Sequence, residues 1–123
     1  MDKSQAIHNF WSSFGLPAYD ENTVPDDAVM PYITYSVATG PIDSVHTIGG
    51  SLWYRSSSWK EISKKADEIA EEVGGKGYYI SKVDGGYLWI TQGPSFAQRM
   101  SEPGDDMTRR VYISLNVEFL TFY

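Results

Sequence analysis

The chain has 123 residues and a hydrophobic fraction of 41%, which suits one domain with a modest core and leaves little room for a second. It contains no cysteine, which excludes disulfides, thiolate metal sites and cysteine nucleophiles. The formal net charge of −6 is the opposite balance from that of a protein gripping nucleic acid by its phosphates.

Met1-Asp2-Lys3-Ser4-Gln5 offers no apolar signal core, so export by a signal peptide is not expected. No run approaches the roughly 18 apolar residues that a membrane span needs. The expectation is a soluble protein with no membrane partner. Aromatic residues make up 15% of the chain, which fits either a protein interface or a Tyr-rich sheet with one wet face.

Residues 4–14 have helical spacing, with Ile7, Phe10, Trp11 and Phe14 on one face. Gly15 stands in the C-cap position and Pro17 prevents continuation. Residues 19–31 are expected as loop, with Pro25-Asp26-Asp27 as turn chemistry. Residues 32–39 alternate as a strand that Gly40-Pro41 ends. Residues 47–55 form a second strand, in which Gly49-Gly50 predicts a bulge or bend.

A second helix follows. Ser58 with Glu61 three residues on is a capping box, and Trp59, Ile62, Ala66, Ile69 and Val73 form the apolar stripe. Gly74 is the expected stop. Glu71 and Glu72 oppose the helix dipole at its C-terminal end, by ~0.3–1 kcal/mol each. Residues 78–83 and 87–92 flank Asp84-Gly85-Gly86 and predict a hairpin. Residues 93–110 contain Pro94, Pro103 and Gly104 and are expected as one long, mostly irregular connection. A closing strand over residues 111–122 turns Val111, Ile113, Leu115, Val117 and Phe119 one way and Tyr112, Ser114, Asn116 and Glu118 the other. Its end is apolar on both faces at Leu120 and Phe122, which calls for cover from the first helix or from another subunit. The order predicts one α+β domain over residues 1–123, a mostly antiparallel sheet of about five strands with two helices on one face.

A catalytic or metal set does not emerge. His8 and His46 lack neighbouring carboxylates at ligand spacing. The pairs Asp26-Asp27 and Asp105-Asp106 are explained by turn preference and match no EF-hand loop. Gly74-Gly75-Lys76-Gly77 follows a helix, where the dipole is negative, so it is a cap and turn rather than a phosphate loop. Ser56-Ser57-Ser58 lacks the glycines of a nucleophile elbow. No enzyme activity, metal or cofactor is expected. Arg99, Arg109 and Arg110 are the notable basic group, suited to carboxylates of a partner protein.

Several segments resemble phage and prophage tail proteins. They are Phe10-Trp11-Ser12-Ser13-Phe14-Gly15, Pro31-Tyr32-Ile33-Thr34-Tyr35, Leu52-Trp53-Tyr54-Arg55-Ser56 and Ser58-Trp59-Lys60-Glu61-Ile62. Val83-Asp84-Gly85-Gly86-Tyr87-Leu88-Trp89-Ile90, Phe96-Ala97-Gln98 and the final strand continue the likeness. In order, spacing and size the chain is similar to the tail terminator, or tail-completion, proteins of long-tailed bacteriophages and prophages. That resemblance implies helices packed on a sheet and a ring, typically a hexamer, at the head-proximal end of the tail tube. Such a ring stops tube polymerisation and docks the head connector. It implies no catalytic residues and a location in the virion tail or neck after assembly in the host cytoplasm.

The implied partners are other copies of the chain, the tail tube protein and the head–tail connector, with DNA only in passage. An acidic lumen suits that passage. A ring also needs two different complementary patches per subunit, and Glu71 and Glu72 against Arg109 and Arg110 are one candidate pair. Leu120 and Phe122 are further candidates for the subunit interface. Phe96, Arg99 and Met100 are candidate anchors on the tube or connector. Two other readings fit the sequence: a head-closure or other neck component, and a ligand- or peptide-binding module with a cleft of Trp53, Tyr54, Tyr87 and Trp89.

Overall fold

The computed structural model describes residues 1–38, 44–102 and 104–122. The elements are α1 (Lys3–Ser12), β1 (Ala18–Asp20), β2 (Tyr32–Tyr35), β3 (Ser44–Arg55), α2 (Lys60–Gly74), β4 (Tyr79–Val83), β5 (Gly86–Met100) and β6 (Thr108–Thr121). They form an α+β domain on one sheet of six strands, in the order β1-β2-β3-β6-β5-β4. Every pairing is antiparallel except β1 with β2, which is parallel.

The sixth strand corrects the expected five. Tyr19 and Asp20 fall in the expected loop, because so short a stretch after Pro17 shows no periodicity. Residues 18–20 pair nonetheless, Ala18 opposite Ile33 and Asp20 opposite Tyr35. The strand expected over residues 32–39 ends at Tyr35, and residues 36–38 are irregular; Thr39 lies outside the described residues, as do Gly40-Pro41 and Pro103.

Both helices bury their apolar stripes against one face of the sheet. Ala6, Ile7, Phe10 and Trp11 of α1 and Ile62, Ala66, Ile69 and Val73 of α2 join the core. Ile33 and Leu52 meet them from β2 and β3, Leu88 and Ile90 from β5, and Ile113, Leu115, Val117 and Phe119 from β6. Alternation on β6 therefore does what its sequence pattern dictates. The α1 N-terminus is capped by Asp2, which accepts from Gln5 N at 2.7 Å. Lys65 Nζ donates to Phe14 O at 2.8 Å and ties α2 to the turn that follows α1.

Three local expectations need correction. Gly49-Gly50 is not a bulge; β3 stays in register with β6 through both glycines. Their missing side chains make room for rings instead, Trp11 over Gly50 on the helix side and Tyr112 over Gly49 on the other. The capping box at Ser58 does not form. Ser58 Oγ accepts from Lys60 N at 3.1 Å, a tighter local turn, and Trp59 occupies the N-cap with no side-chain cap bond. Finally, residues 93–110 are not a long loop. β5 continues to Met100 and β6 begins at Thr108, so the connection shrinks to the tip of a long hairpin. Pro94 is tolerated because the register shifts between Gln92 and Ala97, an irregularity that releases the ladder bond a proline cannot make.

Candidate interaction surfaces

The sheet face away from the helices has no covering element among the described residues. At one end it carries a row of rings crossing the strands: Tyr19 against Tyr32 at 5.8 Å, and Tyr32 against Trp53 at 6.4 Å. Arg110 continues the row, its guanidinium 4.8 Å from the Trp53 ring. Polar bonds fix these side chains. Trp53 Nε1 donates to Thr34 Oγ1 at 2.9 Å, and Arg110 Nε to Ser51 Oγ at 3.0 Å. Arg110 also pairs with Glu102 at 3.3 Å.

The other end of this face is apolar. Leu120 stands opposite Tyr87, and Glu118 stands between Trp89 and Val45. Val45, Ile80 and Tyr87 are exposed and Leu120 is half-buried. Trp89 stacks on Tyr78 at 4.3 Å. Phe122, just beyond the strand, is 89% exposed. The first helix lies on the opposite face, so it does not cover Leu120.

The predicted basic cluster divides. Adjacent strand residues face opposite ways, so Arg110 lies on the helix-free face and Arg109 on the helix side. Arg109 and Arg99 both meet Trp59 at the start of α2, at 5.2 and 4.8 Å from its ring. Arg109 donates to Ser57 O at 3.2 Å, while its Nε is buried without a hydrogen-bond partner among the described residues. Met100 is partly exposed opposite Arg110, and Phe96 is half-buried against the core. The three predicted anchors thus do not share one exposed tip.

Glu71 and Glu72 are exposed at the far end of α2 and line a shallow groove with Gly75, Lys76, Tyr78, Tyr79 and Ile80. Burial, with Glu72 nearby, raises the Tyr79 hydroxyl above its usual pKa. The predicted aromatic cleft is not assembled. Tyr54 packs against the core on the helix side, whereas Trp53 faces away. Trp89 and Tyr87 pair with β6 eight and ten positions from Trp53's partner, about 27 and 34 Å at ~3.4 Å per residue.

Both histidines have structural contacts. His8 Nδ1 is hydrogen-bonded to Tyr35 Oη at 2.8 Å and its Nε2 to Ser12 Oγ at 3.2 Å, holding α1 to β2. His46 packs edge-on against Phe119. Asp105 closes the hairpin tip: it accepts from Thr108 Oγ1 at 2.8 Å and Met107 N at 2.9 Å, and pairs with Arg55 at 3.0 Å. Those hydrogen bonds, Thr108 first, hold its carboxyl below the usual range. Among the described residues no group of three or more His, Asp or Glu is placed to hold a metal ion. No helix among the described residues is long and apolar enough to cross a membrane.

Sequence reasoning missed Trp59 as the platform for Arg99 and Arg109. Finding it required knowing that residues 96–100 are strand, which brings Arg99 beside Arg109 on one face.

No protein-family model matches the chain, and no curated protein matches it. Among solved structures, the fold is similar to that of a chain in the virion of a native gene transfer agent particle. The TM-score is 0.64 over 95% of this chain and 93% of that chain, at 15% sequence identity. At that identity the likeness is one of fold, and it spans nearly the whole of both chains.

Proposed function

We propose that this chain is a structural protein of a phage-type virion, and specifically the tail terminator. In this reading it forms a ring at the head-proximal end of the tail tube, stops tube growth and docks the head connector. The observation that carries the proposal is the near-complete two-way coverage with a chain of a gene transfer agent virion. The tail-protein likeness of the sequence supports it from an independent direction. The role is architectural: surface is used for docking, and no side chain is assigned to chemistry.

The physical features suit such a role. The helix-free face ends in an exposed apolar patch around Tyr87, Leu120 and Phe122, the kind of surface that partners cover. Net acidity repels DNA threading past.

Electron microscopy of particles produced without the chain tests the reading. A terminator's loss gives filled heads and separate tail tubes of uncontrolled length. Tubes of normal length beside leaking heads would instead favour a head-closure role, and normal particles would contradict both.

A further inference from the structure

The charges on α2 run against its own dipole. Lys60, Lys64 and Lys65 lie in its first half, and Asp67, Glu68, Glu71 and Glu72 in its second. Helix stability favours the reverse. A helix of 15 residues is about 22 Å long at ~1.5 Å per residue, so the two charged ends are well separated.

The N-terminal end is reinforced from the sheet. Arg99 and Arg109 reach it from β5 and β6 and lie against Trp59. The acids that could neutralise them are engaged elsewhere: Asp105 by Arg55, Glu102 by Arg110 and Glu68 by Lys65. Neither Arg99 nor Arg109 has an ion pair among the described residues, and Glu61 is the remaining acid at this end of α2. At the other end Glu71 and Glu72 are exposed and likewise unpaired among the described residues, with Lys76 as the cation lining their groove.

We infer that these two ends are the complementary halves of one subunit contact. The Arg99–Trp59–Arg109 cluster of one copy receives Glu71 and Glu72 of a second copy of this chain. The inference rests on the ring reading above and names the surfaces that close the ring. Charge complementarity selects the occupant: planar guanidiniums held against a ring are prepositioned for carboxylates, and the same chain carries an unpaired pair of them. The two patches differ and sit at opposite ends of one helix, and the ring reading takes them as a head-to-tail contact, one patch of each copy on the other patch of the next. Such contacts propagate from copy to copy and close into a ring where the rotation between copies returns to the first.

The test uses two charge-reversed full-length chains, R99E/R109E and E71K/E72K, with folding checked by circular dichroism. Native mass spectrometry and sizing then follow the wild type, each variant alone, and an equimolar mixture. The wild type is expected to form a ring, and each variant alone to lose it. The mixture is expected to regain a ring of alternating subunits, because each variant presents the charge the other lacks.

Variants that assemble as the wild type does overturn this contact and leave the ring reading standing. A wild type that stays monomeric at all concentrations overturns the ring reading itself. A closed dimer overturns the head-to-tail geometry. Should R109E disturb the fold, R99E alone and salt serve in its place. Exposed charge pairs are screened at ~1 M salt, where the Debye length is about 3 Å. A ring unaffected by both excludes the contact.

Discussion

The two faces of the sheet are built from the same strands and do different work. On β6, Ile113, Leu115, Val117 and Phe119 are fully buried under the helices, while Tyr112, Asn116, Glu118 and Leu120 between them remain partly open. Under the helices this side is nonpolar and buried, so the residues there decide whether the chain folds. The open side holds its rings by single hydrogen bonds and stacking, and ends in uncovered apolar side chains. Residues there are free to answer to a partner. The lesson is that a period of two along each strand separates the residues that build the core from those left open, while Arg99 and Arg109 lie beyond the core on the helix side.

The largest effect that would break this contrast lies on the helix side. Trp11 is fully buried over Gly50, and Trp11→Ala is expected to cost ~3–5 kcal/mol in denaturant unfolding, a large share of a small domain's stability. Next comes a point where the open side constrains the fold. A Cβ at Gly49 collides with the Tyr112 ring, so Gly49→Ala should cost ~1–3 kcal/mol. Adding Tyr112→Ser should recover most of that loss.

A smaller effect is expected of Phe122→Ser and Tyr87→Ser. Stability should move by no more than ~0.5 kcal/mol, because neither residue is part of the buried core. Assembly with virion partners should nevertheless weaken in pull-down. A loss of stability as large as that of Trp11→Ala would erase the distinction between the faces.

The smallest effect concerns the hairpin tip. The carboxyl of Asp105 is held below its ordinary value, so its stabilising contribution is present above the usual carboxylate pKa. That contribution fades as pH falls through the lower, folded value. The difference in melting temperature between wild type and Asp105→Asn should therefore shrink on acidification from neutral pH, and a constant difference would sever the link to this carboxylate.

Much of this was legible in the residues. The alternation from Val111 to Phe119, the stripe from Ile62 to Val73 and the Asp84-Gly85 turn each have a local signal, and the structure follows all three. What escaped depends on partners distant in sequence. Ala18–Asp20 is a strand because β2 offers it an edge, and residues 96–100 are strand because β6 does, despite Pro94. Gly49-Gly50 resembles a bulge until Trp11 and Tyr112 are seen to need the space. Among the candidate site residues, the pairing of Arg109 with Arg110 failed on simple alternation, and the partnership of Arg99 with Arg109 required the hairpin register.

Native mass spectrometry of the purified chain tests the central claim most directly. The account predicts a closed ring, typically a hexamer, that falls to monomers as salt is raised. A chain that remains a monomer at every concentration and ionic strength would contradict it.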